Sequence, residues 1–192
     1  MQKGRLEAFS DGVMAVIITI MVLELKVPHG ADLEALRPLV PVLCSYVMSF
    51  VYVGIYWNNH HHMLHAAKHV SGGALWANLH LLFWLSLVPW ITHWIEEEPV
   101  EPLPTALYGV VLIMAGTAYF ILQKALVAVN GQDSALARAV GRGNKEWAST
   151  GLYAAAIALA FWRTWAADLV YAAVAIMWLV PDRRIERVIA RE

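Results

Sequence analysis

The sequence is poor in charge and nearly free of cysteine. Only 15% of its 192 residues are charged, against about 25% in soluble globular chains. The single cysteine, Cys44, lies in an apolar run. It cannot form an internal disulfide, and its expected role is packing. Neither a CxxC pair, a Ser-His-Asp context nor a glycine-rich phosphate loop is present, so nothing points to an enzyme. The filter sequence Thr-Val-Gly-Tyr-Gly is missing as well. There is no internal repeat, and no pair of broken helices in matching halves to suggest a secondary transporter. A net charge of −1 gives no electrostatic reason to expect a nucleic-acid partner.

What the chain does have is apolar length. Hydrophobic residues make up 59% of it, with nine Trp and seven Tyr suited to membrane interfaces. The expectation is an all-α integral membrane protein, a single domain over 1–192. Six apolar segments are predicted as spans, at about 7–27, 35–57, 73–95, 104–126, 147–162 and 165–180. Pro38 and Pro41 fall in the first turns of the second, and Pro89 predicts a kink in the third. No cleavable leader is expected, because two basic residues alone precede the first run and no small-residue cleavage site follows it.

Lys and Arg are distributed unevenly. With the N-terminus in the cytoplasm, eleven fall in inside segments and three (Lys26, Arg37, Arg163) outside, which accounts for all fourteen. The predicted orientation is N-in, C-in. The acidic loop Glu96–Glu98 and Glu101 then lies outside. The tail from Asp182 to Glu192 carries charges at helical spacing, and a short helix on the cytoplasmic lipid surface is expected there.

The rest of the chain is organised around its first apolar helix. Arg5-Leu6-Glu7-Ala8-Phe9-Ser10-Asp11 leads into an uncharged run from Gly12 to Leu23 that ends at Lys26-Val27-Pro28. This reaches membrane length only if Asp11 lies inside the helix. A carboxylate there costs about 2.5–3.5 kcal/mol on insertion scales, so it needs a partner or water. Val16, Ile20 and Leu23 share one face at i, i+4 and i+7, with Thr19 beside them. Two readings of that stripe are open: ordinary helix packing, or a pore lining that gates by dewetting.

Asp11 lies about 140° around the helix from Val16, so it points toward neighbouring helices. Trp57, Asn58, Asn59, His60 and His61 end the second segment, and Trp76, Asn78 and His80 open the third, all at the same predicted depth. A buried polar network among them is expected, holding helices together. The run His60-His61-His62-Met63-Leu64-His65 and on to His69 is polar and interfacial. His61, His65 and His69 at i, i+4 and i+8 leave a metal or redox site as an alternative, and imidazole titration leaves pH sensing as another. His80 and His93 stand thirteen residues apart on one segment, so a haem would need a partner ligand on another helix. A further alternative is a proton-coupled transporter using Asp11.

Arg5, Phe9, Ser10 and Asp11 match the R-x-x-x-F-S-D signature that begins the first helix in the transmembrane protein 175 family, the endolysosomal potassium channels and their prokaryotic relatives. Tyr56-Trp57-x-x-His60-His61 and Trp76-x-Asn78-Leu79 also resemble that family, as does the six-span length of a single-repeat prokaryotic member. The resemblance covers most of the first three segments. It implies a homotetramer in a prokaryotic cell membrane that passively conducts potassium ions, with no cofactor. The first helix of each subunit would line a central pore. Val16, Ile20 and Leu23 would form the hydrophobic constriction, and Thr19 would bear on potassium preference. Arg5, Phe9, Ser10 and Asp11 would be structural, tied to Trp57, His60, His61, Trp76, Asn78 and His80. The family's narrowest ring is usually Ile or Leu, whereas the first candidate here is Val16.

Overall fold

A computed structural model describes residues 3–139 and 144–179. The C-terminal tail expected to form a surface helix lies outside the described residues. All described regular structure is helical. Helix α1 runs over Lys3–Leu23, and a 3-10 segment over Glu34–Leu39 leads into α2 at Val40–Ala66. Then follow α3 (Gly72–Ser86), α4 (Val88–Glu97), α5 (Pro102–Asn130), the short α6 (Ala135–Ala139), α7 (Asn144–Ala160) and α8 (Thr164–Leu179).

Local chemistry explains the boundaries. Helix α1 begins earlier than the apolar pattern suggested and stops at Leu23, ahead of Pro28, whose ring disfavours helix in the residue before it. Its 21 residues span about 30 Å, the thickness of a hydrocarbon layer. Helix α2 carries Pro41 near its start, where the missing N–H breaks no intrahelical bond. It continues to Ala66, well past the predicted end, so the histidine run is helical up to His65. Ser71 caps α3, its hydroxyl accepting the Ala74 N–H at 3.2 Å. At Leu87 the third segment divides into α3 and α4, because Pro89 has no N–H to give the carbonyl four residues back. Gly131, at φ 91°, ends α5 by returning its N–H to Val127.

Among the described residues, four stretches are long and apolar enough to cross a membrane: Lys3–Leu23, Glu34–Ala66, Gly72–Glu97 and Pro102–Asn130. Helices α7 and α8, at 17 and 16 residues, are shorter. They are joined by a turn around Phe161–Arg163 and pack against each other and against α5. At Gly109 the approach is so close that a Cβ would meet the Tyr171 hydroxyl and come within 2.7 Å of Ile157.

Helix α1 packs with one face only. Leu6, Ser10, Met14, Ile17 and Met21 are buried at spacings of three and four against α2, α3 and α4. The opposite face is left uncovered.

Candidate functional site

The uncovered face of α1 is the one bearing the apolar stripe. Val16 is 55% exposed, Ile20 42% and Leu23 79%. Thr19 is exposed on the same side, and its hydroxyl donates to the Val16 carbonyl at 3.0 Å. With the proton committed to the backbone, the oxygen lone pairs face outward as acceptors. Exposed branched apolar groups and an outward acceptor can strip and partly replace a cation's water.

Phe9, Val16 and Ile20 also form one wall of an open groove of about 830 Å³, whose other wall is Pro89, Trp90 and His93. Glu24 closes its far end, with a carboxylate oxygen 3.6 Å from His93 Nδ1; Glu96 lies 3.9 Å from the same nitrogen. Beyond the helix end, Lys26 pairs with Glu97. That hydrogen bond and the adjoining negative charge hold the Lys26 ammonium above its usual range. Acidic and basic groups therefore collect where α1 leaves the membrane.

The other end of α1 is built differently. The Ser10 hydroxyl donates to the Leu6 carbonyl at 2.9 Å and accepts from Asn78 Nδ2 at 2.9 Å. The Asn78 carbonyl oxygen then accepts from His60 Nε2 at 2.7 Å, which places the His60 proton on Nε2. Ser10, Asn78 and His60 are all buried, so this chain ties α1, α2 and α3 together with its polar groups satisfied. One residue on, Asp11 accepts the Trp57 indole N–H at 3.0 Å. His61 stacks on Trp57, with ring centroids 6.1 Å apart, and on His65, at 6.3 Å.

The structure thus joins Ser10, Asn78 and His60 in a buried chain, whereas Asp11 and Trp57 pair beside it in an exposed position rather than in the buried network expected, with His61 leaning on Trp57. It does not bring in the others. Trp76 is 75% exposed, and His80 accepts the Trp84 indole N–H one turn further along α3. Arg5 is exposed and, among the described residues, makes no hydrogen bond or ion pair. Phe9 faces the groove. Because α2 stops at Ala66, His69 leaves the helical face of His61 and His65, and its loop is pinned instead by Asn130. No group of three or more His, Cys, Asp or Glu side chains that could hold a metal ion gathers among the described residues.

Sequence reasoning did not find a second buried network. Ser49 Oγ lies 2.7 Å from Thr92 Oγ1 and 3.1 Å from the Tyr108 hydroxyl, joining α2, α4 and α5. Thr92 gives its own proton to Val88, so Ser49 donates to Thr92 and Tyr108 donates to Ser49. Isolated hydroxyls in apolar helices carry no periodic signal.

The chain is similar to known channels. Residues 5–89 match the model of a family described as the endosomal/lysosomal potassium channel TMEM175. A potassium channel from Chryseobacterium sp. (strain P1-3) is 51% identical over 187 residues, 97% of each chain. The endosomal/lysosomal proton channel TMEM175 of Gallus gallus is 40% identical over 73 residues, 32% of this chain and 15% of that one. The crystal structure of a lysosomal potassium-selective channel TMEM175 homolog from Chamaesiphon minutus superposes with a TM-score of 0.79 at 27% identity, covering 93% of this chain and 96% of the other.

Proposed function

The chain belongs to the TMEM175 family of membrane channels, not to any family of enzymes, and on that premise we propose that it is a potassium-permeable cation channel. The subunits assemble as a homotetramer of six-span chains, N-in and C-in, in a prokaryotic cell membrane. One observation carries this reading: the face of α1 bearing Val16, Thr19, Ile20 and Leu23 is apolar, continuous and largely exposed, bordered only by the open groove beside α4. Four copies turned inward would make stacked rings of Val, Ile and Leu with Thr oxygens between them. Such rings bind no ion tightly. They favour the cation that sheds water more readily, which is potassium over sodium, and the selectivity they give is modest. The Ser10–Asn78–His60 and Asp11–Trp57 bonds hold the opposite side of α1 and so fix which face turns toward the axis.

Support for potassium comes from the likeness to the Chryseobacterium channel along nearly the whole chain. A second reading, proton conduction, is supported by the shorter likeness to the Gallus gallus proton channel. Liposomes holding the purified protein separate the two. Potassium-driven flux that exceeds sodium flux supports the first reading. Flux driven only by a pH gradient supports the second. Neither flux, from protein shown by mass measurement to be tetrameric, refutes both.

A further inference from the structure

A hollow of about 230 Å³ lies away from α1, between α2, α5, α7 and α8. Its volume exceeds the roughly 150 Å³ of an apolar cavity that admits benzene. The inner wall is Leu112, Ile113, Tyr52 and Tyr153, and Gly116 leaves its middle open. Exposed Phe120 and Trp147 stand at the mouth, so the hollow opens on the outside of the bundle.

Two polar groups at this hollow have no partner among the described residues. The Tyr56 hydroxyl, beside Gly116, makes no hydrogen bond. The Glu146 carboxylate, at the start of α7, makes neither an ion pair nor a hydrogen bond. Lys145, one residue earlier, holds its ammonium 5.9 Å from the ring of Trp178, which also lines the hollow. Depth matters as well. Tyr119, on this rim, lies about 26 Å along α5 from Pro102, near the far edge of a hydrocarbon layer about 30 Å thick. The polar rim thus stands at headgroup level while the hollow reaches into the apolar layer.

We propose that this hollow binds a bilayer phospholipid with an ammonium-bearing headgroup. One acyl chain fills the aromatic and aliphatic interior. The headgroup ammonium pairs with Glu146 among the rim aromatics, where cation–π attraction adds to the ion pair. The Tyr56 hydroxyl donates to an ester oxygen. An anionic glycerol headgroup lacks the cation and meets Glu146 as a like charge.

Native mass spectrometry of the purified, delipidated channel tests this, after incubation with equal amounts of palmitoyl-oleoyl phosphatidylethanolamine and phosphatidylglycerol. The wild type is expected to retain phosphatidylethanolamine with about a threefold preference, the size of one interfacial ion pair. Glu146→Gln is expected to retain lipid without that preference. Gly116→Leu, which fills the hollow, is expected to lose the tightly held lipid. Equal retention of both lipids by the wild type, or a preference for phosphatidylglycerol, overturns the proposal. So does undiminished retention in folded Gly116→Leu. If Gly116→Leu does not fold, a preference that survives in Glu146→Gln overturns it alone.

Discussion

Trp57 on α2 donates its indole N–H to Asp11 on α1 across 3.0 Å, joining residues 46 apart in the chain. The bond satisfies a carboxylate near the start of a membrane helix, and it does so from the side opposite the exposed stripe. Trp57→Phe keeps the ring and removes the donor. It is expected to destabilise the fold by about 1 kcal/mol, read as a lowered unfolding midpoint in detergent. Asp11→Asn keeps an acceptor oxygen and is expected to cost less than Asp11→Ala. Equal losses in the two Asp11 variants would show that the bond does not hold α1.

Asn78 is the middle of a buried three-residue chain, so its removal leaves two groups unsatisfied. Asn78→Ala is expected to destabilise by about 2 kcal/mol or more, a larger loss than Trp57→Phe causes. His80→Ala, which removes only an intrahelical acceptor for Trp84, is expected to have a small effect. Unfolding curves of the three variants side by side check the order.

Gly109 allows α5 to meet α7 and α8. Gly109→Ala would push its methyl into the Tyr171 hydroxyl, which donates to the Thr105 carbonyl at 2.9 Å, and into Ile157. A loss of about 1–3 kcal/mol is expected from this overpacking. The same change at Gly116, where a Cβ stays 3.6 Å from the nearest atom, is expected to be tolerated. Thermal unfolding of both variants tests the difference.

Glu24 stands at the end of the exposed stripe, with His93 3.6 Å away. At the mouth of the proposed pore its negative charge would concentrate cations, an effect that salt screens. Glu24→Gln is expected to lower potassium conductance more at low than at high ionic strength. A reduction independent of salt would assign Glu24 a structural role instead.

Much of this architecture was legible in the chain because it rests on strong local signals. The apolar runs located the four stretches long enough to cross a membrane, Pro89 marked the division between α3 and α4, and the angular offset of Asp11 from Val16 pointed it toward other helices. Ser10 was marked only by the family signature, and depth alone put Asp11, Trp57, His60 and Asn78 at one level. It could not tell them from Trp76 and His80, which share that level but turn elsewhere, since rotation about a uniformly apolar helix leaves little pattern. The length of α2 was missed because its last turns are polar histidines that carry no apolar period. The Ser49–Thr92–Tyr108 contact and the hollow behind Gly116 depend on how helices far apart in sequence pack, which no single segment encodes.

The uncovered face of α1 is the proposed constriction of a potassium pathway. Potassium conductance of the wild type and of Ile20→Asn, recorded in the same planar bilayers with Leu23→Ala alongside, tests it most directly. A polar amide in the ring admits water, so the account predicts a cation-selective conductance that rises in Ile20→Asn and changes in Leu23→Ala, with the fold intact. Conductance identical to wild type in both variants, from folded and assembled protein, would place the constriction elsewhere and contradict the account.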